Sequence, residues 1–121
     1  MKLLTKELKK KLPPLYSQEE VEDPMVIVKF SHPRSQWTWY AYEASAQWLV
    51  GEDVVDRALS DPDESGEYQD TKFFGLVDGF DKELGYWSLN ELSEVRDDWG
   101  LGVERDLYFK PKKLSEIRKE G

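Results

Sequence analysis

Gln36-Trp37-Thr38-Trp39-Tyr40-Ala41-Tyr42-Glu43 alternates, with Trp37, Trp39 and Ala41 on one face and Thr38, Tyr40 and Tyr42 on the other. A two-residue period is that of a β-strand, whose successive side chains point to opposite faces. Both faces are bulky, so one packs on the core while the other lies under a further element or meets a partner. Upstream, Met25-Val26-Ile27-Val28-Lys29-Phe30 is a β-branched run that reads as the first strand. Ser31-His32-Pro33-Arg34-Ser35 is the turn that joins the two into a hairpin-like pair.

The same reading extends along the chain. Thr71 to Phe80 is a third strand whose Gly75 and Gly79 mark a bulge or a close backbone approach. Leu84-Gly85-Tyr86-Trp87 is a short fourth strand, and Val103 to Phe109 is a fifth, ended by Pro111. Leu3, Leu4, Leu8 and Leu12 stand at helical spacing, Thr5 supplies an N-cap, and Pro13-Pro14 stops the helix. Ser88-Leu89-Asn90-Glu91 has the capping-box spacing and opens a helix expected to run to about Asp98. Lys112 to Lys119 reads as a terminal helical turn around Leu114 and Ile117. The expected fold is α+β: a mainly antiparallel sheet of about five strands, with two or three short helices packed on one face.

Residues 44–70 are the least regular part. Gly51 to Leu59 reads as one or two helical turns, and Ser60 to Asp70 as a mobile acidic loop. The whole 121-residue chain is expected to be a single domain, with 44–70 as its acidic variable loop. At 39% hydrophobic residues, including five Trp, six Tyr and five Phe, a compact core is affordable despite 35% charged residues.

Charge is distributed unevenly. Residues 1–12 carry five Lys against one Glu, and 105–121 carry six basic residues against three acidic ones. Residues 41–83 carry twelve acidic residues against three basic ones, within a net charge of −8. Such a field repels phosphate and attracts basic proteins, which disfavours nucleic acid as the partner. With no cysteine, disulfides, thiolate metal sites and cysteine nucleophiles are excluded. Met1 to Leu12 has no long apolar run, so neither a secretory leader nor a membrane span is expected there, and the expected location is the cytoplasm.

No constellation reads as an active site. His32 is the sole histidine, and a lone imidazole without Cys or a second His is a poor metal site, so a structural role is expected. Glu104 and Asp106 share a face of their strand and Arg105 takes the other, a polar cluster read as a structural ion pair through Arg105. The glycines at 75, 79, 85, 100 and 102 match no phosphate loop. No cofactor is expected.

Lys2-Leu3-Leu4-Thr5-Lys6-Glu7-Leu8 running into Leu12-Pro13-Pro14-Leu15-Tyr16-Ser17, together with Trp37-Thr38-Trp39-Tyr40, resembles the family called domain of unknown function 2958. Phe73-Phe74-Gly75-Leu76-Val77 with Gly79-Phe80, Glu83-Leu84-Gly85-Tyr86 and Glu104-Arg105-Asp106-Leu107 extend the resemblance in order over nearly the whole chain. Residues 44–70 depart from it, being longer and more acidic. The resemblance implies a small bacterial, plasmid or phage protein in a mobile-element setting, and it carries no activity and no catalytic residues.

The leading expectation is therefore a non-enzymatic protein-binding accessory of a mobile element. Its concrete form is an acidic inhibitor of a host nucleic-acid-binding or defence protein. Candidate contacts are Trp37, Trp39, Tyr40 and Tyr42 on the aromatic strand, with Asp53, Asp56, Asp61, Asp63 and Glu64 on the acidic stretch. One alternative is an enzyme of unrecognised type with a carboxylate-containing cleft near Glu43, Asp78, Glu104, Arg105 or His32. The other is a nucleic-acid binder that stacks bases on the aromatic strand between basic termini.

Overall fold

The computed structural model describes residues 1–120. It is α+β, as the sequence implies, but built from more strands than expected. The elements are α1 (Lys6–Lys11), β1 (Met25–Val26), β2 (Val28–Ser31), β3 (Thr38–Val50), β4 (Asp53–Ala58) and β5 (Glu67–Asp78). They are followed by β6 (Lys82–Ser88), α2 (Leu89–Glu94), β7 (Glu104–Arg105), β8 (Lys112–Lys113) and α3 (Leu114–Glu120). Six strands form one antiparallel sheet in the order β6-β5-β3-β2-β7, with β4 also pairing with β3. β1 and β8 form a separate two-stranded sheet.

The aromatic stretch is the start of the central strand. β3 pairs with β5 over its length on one side, and on the other with β2 from Thr38 to Ala41 and then β4 from Ser45 to Val50. The register shifts between Ala41 and Glu43, so Tyr42 is an extra, bulged residue. That bulge resets the alternation, and both Ala41 and Ala44 reach the larger core.

Helices lie on both faces, correcting the one-face expectation. Leu4 and Leu12, flanking α1, and Leu92 of α2 pack with Val28, Phe30, Phe73 and Trp87. Phe73 meets Phe30 edge-on at 5.4 Å and stacks on Trp87 at 5.6 Å. On the opposite face, Leu114 and Ile117 of α3 close a smaller cluster with Val26, Tyr42 and Leu76. The sheet is thus buried on both faces, which explains why both sides of the aromatic strand are bulky.

Both caps form as the spacing predicts. The Leu8 N–H donates to Thr5 Oγ1 at 3.3 Å and the Glu91 N–H to Ser88 Oγ at 3.1 Å. α2 stops at Glu94 rather than Asp98, because Asp97 Oδ1 accepts the N–H groups of Trp99 and Leu101, both at 2.9 Å, and folds the chain into a turn. The expected fifth strand shrinks to Glu104–Arg105 for a similar reason: Asp106 Oδ1 takes the Tyr108 N–H at 2.9 Å and turns the backbone away.

The largest correction concerns residues 44–70. The expected helical turns are strand β4, joined to β3 by the two-residue turn Gly51-Glu52, with Gly51 at φ 64°. Regular pairing resumes at Glu67, so only 59–66 is loop.

Candidate functional site

Between Gln47 and Asp70 no residue is buried. The distal halves of β3 and β5, with β4 and the 59–66 loop, therefore make an arm that leaves the cores, apart from half-buried Leu59, which packs against the larger one. It carries eight carboxylates against the single guanidinium of Arg57. What orders it is a small cluster of its own. The Trp48 and Tyr68 rings meet edge-to-face at 5.7 Å, and Arg57 lies over Trp48 at 5.1 Å. The Arg57 guanidinium also donates to the Asp63 carbonyl at 3.0 Å and Ser65 Oγ at 3.2 Å, which fastens the loop to β4.

The five acidic candidates do not form one patch. Asp53 lies across from Val50 and Asp56 from Gln47, so they point to opposite faces of β4. Asp61 Oδ1 accepts the Asp63 N–H at 3.0 Å and lies at the start of the loop. Asp63 is tied down, accepting the Ser65 N–H at 2.9 Å and its hydroxyl at 2.7 Å, with Arg57 at 3.7 Å. Those hydrogen bonds from Ser65, then Arg57, hold its carboxyl below the ordinary value. Glu64 faces a groove of about 890 Å³ between the arm and α2, together with Trp48, Tyr68, Leu89 and Arg96. Exposed Val54 and Tyr68 add apolar surface to the arm.

The aromatic candidates divide likewise. Tyr42 is 6% exposed and packs edge-on against Phe74, so it belongs to the core and is not available to a partner. Burial first, then Glu43, pushes its phenol up. Tyr40 is half-buried against Phe109, and Trp39 packs on the larger core. Trp37 stacks on Trp39 at 6.0 Å and meets the edge of Phe80, which is 88% exposed. Trp37, Trp39 and Tyr40 are thus all half-buried, and the exposed ring at this end of the strand is Phe80.

The polar cluster is also rearranged. Asp106 pairs with Lys29 at 3.8 Å, Glu104 is exposed opposite Ser31, and Arg105 makes no ion pair among the described residues. Arg105 Nη1 is instead enclosed without a hydrogen-bond partner. The expected ion pair through Arg105 is therefore absent among the described residues.

Nor do the groups proposed for a catalytic cleft converge. Glu43, 3% exposed, spends both oxygens on backbone: Oε1 accepts the Tyr16 N–H at 3.0 Å and Oε2 the Gln18 N–H at 2.8 Å. Asp78 sits opposite Thr38 at one end of the β3–β5 ladder, away from Glu43 at its middle. His32 is buried in the β2–β3 turn. Its Nδ1 accepts the Arg34 N–H at 3.2 Å, which leaves Nε2 to donate to the Leu101 carbonyl at 3.1 Å. Among the described residues no three His, Asp or Glu side chains gather as metal ligands.

Sequence reading missed Asp97, whose signal was the Asp-x-x-Gly turn pattern at 97–100. Asp97 Oδ2 lies 3.8 Å from both His32 Nε2 and Arg34 Nη1, and Arg34 stacks over Trp99 at 4.1 Å. This cluster clamps the 97–102 turn to the β2–β3 hairpin. Burial acts to raise the Asp97 carboxyl. The N–H groups of Leu101 and Trp99, with Arg34 and His32, outweigh it and hold the group below its ordinary value. A depressed carboxyl stabilises the fold above its unfolded pKa of about 4, and the contribution is lost as pH falls through the folded value. The expected result is that wild type loses stability relative to Asp97→Asn as pH drops below about 4. Urea midpoints of the two proteins from pH 7 to pH 2.5 check it, and a constant difference would refute the assignment.

No helix among the described residues is long and apolar enough to cross a membrane. No curated protein and no solved structure matches the chain. A family model does match, over residues 3–119, spanning both cores, the aromatic strand and the acidic arm. The chain belongs to the DUF2958 family, proteins of unknown function.

Proposed function

We propose that this is a non-enzymatic binding protein that presents its acidic arm to a basic surface of another protein. One observation carries the reading: residues 47–70 include no fully buried residue, hold eight carboxylates against one tethered arginine, and are nevertheless built as paired strands. An arm that gives the cores little beyond half-buried Leu59 has its use outside the chain. Exposed Val54 and Tyr68 supply apolar contacts amid the charge, the mixture that interfaces combine. Such a field steers a basic partner and raises its association rate. In the mobile-element setting that the family resemblance implies, the partner is a host nucleic-acid-binding or defence protein, and occupancy by the arm excludes phosphate from it.

The test is charge reversal at Asp53→Lys, Asp56→Lys and Asp61→Lys together, leaving Asp63 to its structural role. These side chains are exposed, so stability is expected to stay within about 0.5 kcal/mol of wild type. Wild-type protein is used to capture its partner from the native host, and the purified partner is then titrated with both proteins. Binding is expected to weaken at least ~10-fold in the variant and to weaken with salt for wild type. Unchanged binding by the variant would sink the proposal.

A further inference from the structure

The two longer edge strands of the sheet, β4 and β6, are treated differently. β4 carries Asp53, Asp56 and Arg57 along its free edge, the charged residues that keep an unpaired strand from pairing with another chain. β6 pairs only with β5, and its Leu84-Gly85-Tyr86-Trp87-Ser88 run has no charge and no proline. The chain then leaves this edge clear. The Asn90 N–H and side-chain amide donate to Asp70 and to the Gln69 carbonyl, which draws the start of α2 back over β5.

Gly85 stands at the middle of this edge, where a side chain is tolerated. Its neighbour across the ladder, Gly75, is required by close backbone contact, but a Cβ on Gly85 would meet nothing within 4 Å. Glycine inside a strand costs order, and nothing within this chain calls for it here.

We infer that β6 pairs with β6 of a second copy, antiparallel about a two-fold axis at Gly85, joining the two sheets into one. The strand is its own complement in that register. Leu84 of each copy meets Tyr86 of the other, and these side chains are 44% and 49% exposed in the single chain. Glu83 falls opposite Trp87 and Lys82 opposite Ser88. The charged Asp81-Lys82-Glu83 segments therefore lie at opposite ends of the pairing, and no like charges face each other. Self-pairing thus sets apolar side chains against each other and keeps the charged segments apart, which favours a second copy as the partner.

The absence of native cysteine gives a direct test. Gly85→Cys places one thiol per chain at the axis, where antiparallel partners lie about 4.5–5.5 Å apart between Cα atoms, within disulfide reach. The open space at this position leaves the fold intact. Mild oxidation is expected to link Gly85→Cys chains as dimers and to leave Lys82→Cys chains unlinked. Sedimentation equilibrium of the wild type is expected to show a monomer–dimer equilibrium that strengthens with salt, since two chains of net charge −8 repel. Tyr86→Lys, with a native circular-dichroism spectrum, is expected to weaken it roughly tenfold or more, because it breaks both symmetry-related pairs. A wild type that stays monomeric at millimolar concentration, a dimer indifferent to Tyr86→Lys, or equal cross-linking by both cysteine variants would overturn the inference.

Discussion

Replacing Gly75 with alanine is expected to destabilise the fold by about 3 kcal/mol, lowering the melting temperature by roughly 12 °C for a chain of this size. An added Cβ would lie 1.8 Å from the Tyr40 carbonyl oxygen and 2.9 Å from the Ala41 Cα. Both obstacles are backbone, so no rotamer change relieves them. The only escape is to move β3 away from β5 at the centre of the sheet, beside the Tyr42 bulge. That movement would loosen Ala41, Ala44 and Phe73 together, all of them fully buried. Gly85→Ala is the matched control. It stands directly opposite in the β5–β6 ladder with no obstacle, and in dilute solution its stability is expected to stay within about 0.5 kcal/mol of wild type. Thermal and urea unfolding of the pair decide the matter, and equal stability of the two variants would refute the steric argument.

That contrast also marks what was legible in the sequence. Local chemistry could be read: Thr5 and Ser88 cap helices as their spacing predicts, and the alternation from Trp37 to Ala41 is a strand. The Phe-Phe-Gly run signalled a close approach at Gly75, but not which backbone approaches, since Tyr40 lies 35 residues earlier. The bulge at Tyr42 was hidden because an aromatic residue suits either face, and only the register with β5 reveals the extra residue. In 44–70 the acidic residues obscured a hairpin whose signal was present: Leu49 and Val54 pair across the two-residue turn Gly51-Glu52, one step beyond Val50 and Asp53. Composition suggested loop, while cross-strand pairing among Trp48, Tyr68 and Arg57 made strands. The candidate site was legible as charge but not as geometry. Asp53 and Asp56 separate by strand alternation, and Asp63 turns inward to Arg57 and Ser65.

Glu43→Ala is expected to cost about 3 kcal/mol, although the residue has no place in either apolar cluster. Its carboxylate is the peg on which residues 13–18 hang. The Ala44 N–H donates to the Pro13 carbonyl at 2.9 Å, Ser45 Oγ accepts the Leu15 N–H at 2.9 Å, and Glu43 takes the Tyr16 and Gln18 N–H groups. Tyr16 adopts φ 72°, a left-handed conformation that costs a residue with a side chain about 1 kcal/mol. The two charge-assisted hydrogen bonds offset that strain. Alanine leaves both N–H groups without acceptors and nothing to hold the turn. Glu43→Gln keeps one carbonyl oxygen but turns an NH₂ group toward a donor, so about half the loss is expected. Hydrogen exchange at the Tyr16 and Gln18 amides separates this account from a general loosening, since these two should lose protection before the Phe73 and Leu76 amides do. If alanine leaves stability within about 0.5 kcal/mol of wild type, the carboxylate is not the peg, and the turn is held by Leu15 and Pro13 alone.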